Sequence, residues 1–354
     1  MKKKKFFYKK RVLITGNTGF KGSWLSLWMM TLGAKVLGIA NGYPTKPSNF
    51  KDLNLSKNID FKKIDVRNSK KIQKEILKFK PDFIFHLAAQ AIVKKSYENP
   101  KQTWESNVIG TINILEGVKK LKKKKINIII ITSDKVYKNL EINRGYHEKD
   151  ILGGEDPYSA SKSAADLATQ SYCKTILNNN PNIRISIARA GNVIGGGDWS
   201  VGRIIPDCMR SWSKSKKVDI RNPKSTRPWQ HVFDVLNGYI MLAMNLSKNK
   251  NLNGQSFNFG PKIEKKRDVL NVVNEMKKIW VKGRYRIKKK DRFKETKLLH
   301  LNSRKAKIKL NWVCKFNLKE AIELTAIWYK NYYSNRKNII NFSVNQIKDF
   351  EKKT

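Results

Sequence analysis

Arg11-Val-Leu-Ile-Thr15-Gly16-Asn-Thr-Gly19-Phe-Lys-Gly22, continuing into the amphipathic stretch Ser23 to Leu32, decides how this chain folds. A short apolar run runs straight into a turn with three glycines, and a helical pattern begins at once. A strand, a glycine loop and a helix in that order form the cradle that receives a pyrophosphate. The glycines allow a tight turn and close approach, and the helix start offers free N–H groups and positive potential. The stretch predicts a parallel α/β sheet with a dinucleotide held by Gly16, Thr18, Gly19, Phe20, Lys21 and Gly22 at the end of the first strand.

Working outward, Ala34 to Ile39 reads as a second strand, followed by Ala40-Asn41 where an acid for the ribose 2′-hydroxyl is usual. Asn41 can bond a hydroxyl there, and the position leaves NAD against NADP open. Phe61 to Ile64 reads as a third strand, with Asp65-Val66 at its end placed to meet an adenine. The buried strand at Pro81 to His86 runs into Leu87-Ala88-Ala89-Gln90, small enough for a flat cofactor to lie against the backbone, and Asn107 sits in a helix from Pro100 to Lys122. Lys119 to Lys125 is a charge run at that helix's solvated end. Ile126-Asn-Ile-Ile-Ile-Ile131 has the apolar character of a central parallel strand and delivers Thr132-Ser133-Asp134-Lys135 to the sheet edge where ligands bind. Ile183 to Ala188 continues the alternation of strands and helices.

Glu155-Asp-Pro-Tyr158-Ser-Ala-Ser-Lys162 puts a phenol and an ammonium four residues apart on one helix face. Asp156 is a capping type and Pro157 suits the first turn. Lys162 is expected to favour the phenolate of Tyr158, which then takes a hydroxyl proton while a hydride leaves the same carbon. Tyr97/Lys101, Tyr285/Lys289 and Tyr333/Lys337 share the spacing in this Lys-rich chain, so context selects among them.

With 354 residues there is room for a large α/β domain and a smaller lobe. The division expected is a disordered basic tip at 1–10, a dinucleotide domain at 11–190 rejoined by 231–260, and a substrate lobe from 191–230 and 261–354. In that lobe Ile204 to Pro206 opens a helix, a second helix reaches Leu246, and Leu318 to Tyr333 is a periodic core helix. Arg221 and Arg227 lie in a loop ending Pro-Trp-Gln-His231, a pattern suited to a diphosphate. The net charge of +46 comes mostly from Lys scattered through the sequence without a nucleic-acid motif, so nucleic acid is not expected as the main partner. Cys173, Cys208 and Cys314 lack metal spacing and read as thiols of a reducing compartment, so no metal is expected. No run of 18 apolar residues indicates a membrane span, and a cytosolic location is expected.

These motifs resemble the extended short-chain dehydrogenase/reductases, doubly wound Rossmann enzymes with a smaller C-terminal substrate-binding lobe, and among them the 4,6-dehydratases that act on CDP-glucose. The resemblance runs from about Arg11 to Tyr333 and is carried by Gly16 to Leu25, His86 to Gln90, Thr132 to Lys135, Asp156 to Lys162, Ala188 to Trp199, and Ile220 to Val232. Relatives for dTDP-glucose or GDP-mannose carry Asp-Glu where this chain has Asp134-Lys135. The resemblance implies NAD as cofactor, reduced and regenerated in each turnover, CDP-glucose as substrate, and a homodimer or homotetramer. It also implies roles: Tyr158 and Lys162 oxidise C4, Ser133 bonds the C4 oxygen, and Asp134 protonates the departing C6 hydroxyl. Lys135 is expected either to take the C5 proton or to remain charged beside the ketone. His86, Asn192, Arg203, Arg221, Arg227 and His231 are the implied substrate ligands. A 4-epimerase shares the Tyr-Lys pair but needs no acid and base beside C5 and C6.

Overall fold

The structure, a computed structural model, describes residues 2–121, 124–142, 144–261, 268–288 and 299–353. Lys122 and Lys123 of the charge run and Lys289 of one Tyr-Lys pair lie outside the described residues.

Seven strands form one parallel sheet: β1 Arg11–Thr15, β2 Lys35–Ala40, β3 Asp60–Lys63, β4 Phe83–His86, β5 Ile126–Ile131, β6 Ile183–Ala190 and β7 Ser256–Phe259. Their spatial order is β7-β6-β5-β4-β1-β2-β3. The order reverses between β1 and β4, where Thr15 pairs with both Ile39 and His86, so the loops after β1 and β4 diverge and leave a crevice.

Alternation along each strand builds two cores. Leu13, Ile84, Ile128, Ile130, Ile185 and Ile187 face Ile72 and Ile76 of helix α2 (Ser69–Phe79), and Ile114, Leu115 and Val118 of helix α3 (Gly110–Lys119). Val12, Ile14, Phe85, Ile129 and Ile131 face the other way, onto Trp24 and Trp28 of helix α1 (Phe20–Thr31) and the apolar side of helix α5 (Val232–Lys248). Helix α4 (Pro157–Ser171) follows the long connection after β5. The polar-looking segment after Ala190 holds two small parallel pairs, Val193–Ile194 with Gln230–His231 and Val218–Ile220 with Tyr285–Ile287, and a core helix α6 (Leu318–Ser334). No helix among the described residues is long and apolar enough to cross a membrane.

The N-terminal end of the chain departs from expectation. The tip read as disordered forms a helix over Lys2–Phe7. Phe6 and Phe7 give it an apolar edge that packs on Phe83 at ring separations of 5.7 and 5.2 Å, with Phe7 fully buried. At the other end helix α7 (Ile339–Lys352) packs Phe350 against Trp28 at 5.6 Å, and Trp28 Nε1 donates to Glu351 Oε1 at 3.0 Å.

Candidate active site

Gly16 has φ +70°, in the left-handed region, and a Cβ here would lie 2.7 Å from Ala88 N; one on Gly22 would lie 2.1 Å from Gly16 O. The loop is therefore as tight as its spacing suggests. Gly19 N-caps α1 with no side-chain bond, leaving the first helical N–H groups for an anion. Thr18 Oγ1 ties the loop to Gly42 O at 2.6 Å, and the Phe20 ring reaches Gly195. Leu87 N and Ala88 N donate to Thr15 O and Thr15 Oγ1, which ties the chain after β4 to the end of β1. Beyond β2 and β3, an open groove of about 600 Å³ is lined by Asp65, Arg67, Asn68, Glu105 and Ile109. Asn41 contacts Asp65 at 3.4 Å, and the Arg67 guanidinium holds the Asp65 carboxyl below its ordinary range. Val66 is buried against Gly110. The cradle, the small residues and this groove fit a dinucleotide laid across the switch point.

Asp156 caps α4 by accepting from the backbone N–H of Tyr158 and Ser159, both at 3.0 Å, which fixes the first turn. Tyr158 and Lys162 are 9% and 6% exposed, whereas Tyr97 is 56% and Tyr333 41% exposed. A shifted proton needs a desolvated site, so burial selects the first pair. Lys162 Nζ donates to Ile131 O at 3.2 Å. Burial, reinforced by Lys21 and opposed by Asp166, lowers its pKa to about 7. Lys21 lies 3.4 Å from the Tyr239 hydroxyl and is lowered to about 8 by burial and Arg203, with Asp134 opposing. Tyr158 differs from the expectation: desolvation raises its pKa, and the Ser133 hydrogen bond and the Arg203 charge that oppose this do not prevail. With Lys162 itself titrating near neutrality, it is no permanent counter-charge.

Ser133 Oγ donates to Asp134 Oδ1 at 2.9 Å, accepts from Lys135 N at 3.2 Å, and bonds the Tyr158 hydroxyl. Asp134 is buried and its Oδ2 has no hydrogen-bond partner among the described residues. Desolvation raises its pKa against the pull of Lys135, Ser133 and Lys21. Gly191 leaves room for it, since a Cβ there would lie 3.0 Å from Asp134 Oδ2. Lys135 is half-buried beside it in a single 3₁₀ turn, Asp134–Val136.

Four predicted ligands are committed to the protein itself. His86 is buried with both ring nitrogens engaged, 2.7 Å from Thr15 Oγ1 and 3.2 Å from Thr111 Oγ1. The Thr111 hydroxyl already donates to Asn107 O, so His86 is neutral with its proton on Nε2; burial lowers its pKa to about 3. His231 caps α5 through Phe233 N, packs edge-on to Phe233 and Phe316, and is likewise lowered to about 3. Both were read as substrate ligands; as strand-end and cap residues they are buried in the frame. Gln90 folds back on Ile92 and Thr103, and Asn107, in a π-helical turn, bridges Gln90 to Ser161 Oγ. These two lock the loop against α4.

Arg203 pairs with Asp198 at 2.9 Å and its charge acts on Tyr158. Asn192 is half-buried, and its backbone oxygen accepts from Gln230 N. Arg221 is exposed beside Gly202, and Arg227 donates to Thr226 O. Two features escaped the sequence reading. Tyr239 looks like one more apolar position of α5, yet its hydroxyl meets Lys21. Asp166, one turn beyond Lys162, forms a buried bidentate pair with Arg189 at 2.8 Å on both arms. Its i+4 spacing from Lys162 was the available signal.

The profile of the GDP-mannose 4,6 dehydratase family matches residues 13–325. The chain is 40% identical over 332 residues to the CDP-glucose 4,6-dehydratase of Salmonella typhimurium, covering 92% of each protein. Among solved structures it is similar to epimerase Mth375 of Methanothermobacter thermautotrophicus, with TM-score 0.80 and 20% identity over 96% of this chain and 97% of that one. It is also similar to the dTDP-glucose 4,6-dehydratase of Bacillus anthracis in complex with NAD, with TM-score 0.76 and 22% identity over 93% of this chain and 99% of that one. At these identities the structural likeness speaks for the fold.

Proposed function

Since the chain belongs to the GDP-mannose 4,6-dehydratase family of extended short-chain dehydrogenase/reductases, we infer that it dehydrates CDP-glucose to CDP-4-dehydro-6-deoxyglucose. Gly16, Thr18, Gly19, Phe20, Lys21 and Gly22 would hold NAD in the cradle after β1, where it would supply a hydride acceptor that is regenerated within each turnover.

The side chains move the protons. Tyr158 takes the proton of the C4 hydroxyl while Ser133, bonded to the same phenol, holds the C4 oxygen. Arg203 and the hydrogen bond from Ser133 ease loss of the phenolic proton. A ketone at C4 acidifies the hydrogen on C5, and in this reading Lys135 takes it. Asp134 gives its proton to the leaving C6 hydroxyl.

One observation carries this reading over a 4-epimerase. Asp134 is a buried carboxyl with a raised pKa and an oxygen that has no partner among the described residues. A carboxyl whose protonated form is favoured by burial is what loss of water at C6 requires, and inversion at C4 has no use for it. Incubation with CDP-glucose and NAD tests the reading: a 4-keto sugar nucleotide should form without net production of NADH. Formation of the 4-epimer alone, or preference for UDP-, dTDP- or GDP-sugars, overturns it. Arg221 and Arg227 suit the diphosphate, and Asn192 the sugar. Trp104 and Leu167, 40% and 53% exposed on neighbouring helices, support a homodimer through that face, which sedimentation tests directly.

A further inference from the structure

The segment Ser133–Val136 carries the acid, the base and the serine, yet it has little rigidity of its own. Its only regular element is a three-residue 3₁₀ turn, too short to hold its own geometry. Val136 O accepts from Ser163 Oγ at 2.7 Å and from Gly153 N at 2.8 Å, and a further set of contacts grips the chain on either side. Before the segment, Thr132 Oγ1 donates to Asp166 Oδ2 at 3.2 Å. After it, the Tyr137 hydroxyl accepts from Arg189 Nη1 at 2.9 Å and donates to Asn258 at 2.7 Å. Asp166 and Arg189 are joined by two 2.8 Å hydrogen bonds, with side chains 0% and 1% exposed. Arg189 Nη1 also reaches Glu148 O at 3.0 Å, and Gln170 donates to Asp166 at 2.8 Å. The chain therefore leaves the ion pair at Thr132, bears its reactive groups through four residues, and returns to it at Tyr137. Asp166 stands one turn beyond Lys162 on α4, and Arg189 stands two residues before Gly191, which makes room for Asp134.

We propose that the buried Asp166–Arg189 pair is a positioning element for the elimination, clamping both ends of Ser133–Val136 so that Asp134 and Lys135 meet C6 and C5 together. The proposal rests on the dehydratase reading. Asp166 and Arg189 touch neither sugar nor cofactor; they act through Thr132 and Tyr137. Displacing a reacting group by about 1 Å can cost roughly 10²-fold in rate while leaving binding intact, so the clamp should appear in kcat and not in KM.

The test cuts the tethers and keeps the ion pair. Thr132→Val combined with Tyr137→Phe removes both hydroxyls at nearly constant volume. The double variant should keep the parent's KM for CDP-glucose, with a urea midpoint lowered no more than the loss of two buried hydroxyls implies, while kcat falls tenfold or more and exchange of the C5 hydrogen with deuterated solvent slows in step. Thr132→Ser, which keeps the hydroxyl, should run at the parent's rate. An unchanged kcat overturns the clamp, and so does a loss of kcat matched by the same loss in KM and urea midpoint. If the double variant does not fold, Thr132→Val alone decides: a severalfold loss of kcat at the parent's KM supports the clamp, and none overturns it. A parent enzyme that makes no 4-keto sugar from CDP-glucose brings down the dehydratase reading and the clamp with it. A parent that does, beside an unaffected double variant, removes the clamp only.

Discussion

Lys162 Nζ donates to the carbonyl oxygen of Ile131 across 3.2 Å, which ties the ammonium to the strand that delivers Ser133. That single bond does not offset burial, and the pKa falls from its ordinary 10.5 to about 7. Between those values the unfolded chain binds the proton and the folded chain does not. Stability of the cofactor-free protein therefore rises with pH across that window, and Lys21, lowered to about 8, adds in the same direction. Below about pH 7 the full cost of charging a buried amine is present. Lys162→Met removes it, so urea denaturation at pH 6 should find the variant more stable by on the order of 2–4 kcal/mol. The difference should shrink as pH approaches 10. Equal stability at pH 6 would show that Lys162 is better solvated than its burial implies.

Asp134 and Gly191 make a second pair of linked expectations. Asp134→Asn cannot donate an acid proton to C6, so 6-deoxy product should fall by about 10²- to 10⁴-fold, the usual contribution of a positioned general acid. Oxidation at C4 should survive, read as absorbance of reduced nicotinamide on a single turnover. Loss of that signal as well would place Asp134 before the elimination. Gly191→Ala puts a methyl 3.0 Å from Asp134 Oδ2. It should reproduce part of the defect in kcat with little change in cofactor binding.

Breaking the Asp166–Arg189 pair from one side leaves an uncompensated buried charge. Asp166→Asn and Arg189→Met should each lower stability by about 3–5 kcal/mol. Asp166→Leu with Arg189→Met replaces the pair by apolar groups of similar volume and should recover much of that loss, even though the tethers to Thr132 and Tyr137 are gone. Chemical denaturation of the three variants separates the outcomes. A double variant as unstable as the singles would mean that the hydrogen bonds to Thr132, Tyr137 and Gln170 matter more to the fold than charge balance does.

The sheet was legible because parallel strands are apolar on both faces and glycine turns punctuate them. Arg11–Thr15 and Ile126–Ile131 were located to the residue. Tyr158 and Lys162 could be separated from their decoys only by neighbours at the helix start, Asp156 and Pro157, which form the cap. What could not be read was direction and depth. His86 and His231 look like ligands in a sequence because nothing there shows Thr15 and Thr111, or Phe233 and Phe316, closing around them. The N-terminal helix was hidden by its lysines: a basic tip reads as solvated, and the two phenylalanines that dock it meet Phe83 only in three dimensions. Asp166 and Arg189 are 23 residues apart in sequence, and their union depends on β6 lying beside β5 under α4.

In the proposed dehydration, the order of proton transfers turns on Lys135. It is half-buried, follows Asp134 directly, and donates its backbone N–H to Ser133 Oγ at 3.2 Å, so its Cα is fixed relative to both the acid and the serine. Its charge is among those that restrain the upward shift of Asp134. The two groups are therefore coupled: as Lys135 gains a proton, Asp134 loses its own more readily, which is the sequence that removal of the C5 hydrogen followed by loss of the C6 hydroxyl demands. A glutamate at this position would couple in the same sense, since gaining a proton raises the local charge by one unit, but its standing negative charge would hold the Asp134 pKa higher throughout. Lys135→Met keeps the stem and removes the amine. If Lys135 takes the C5 proton, oxidation at C4 should proceed in the variant while exchange of the C5 hydrogen with deuterated solvent, followed by mass spectrometry of the sugar nucleotide, collapses by at least about 10²-fold. Exchange at the parent's rate would assign the proton to another group or to water and leave Lys135 as a charge that polarises the ketone.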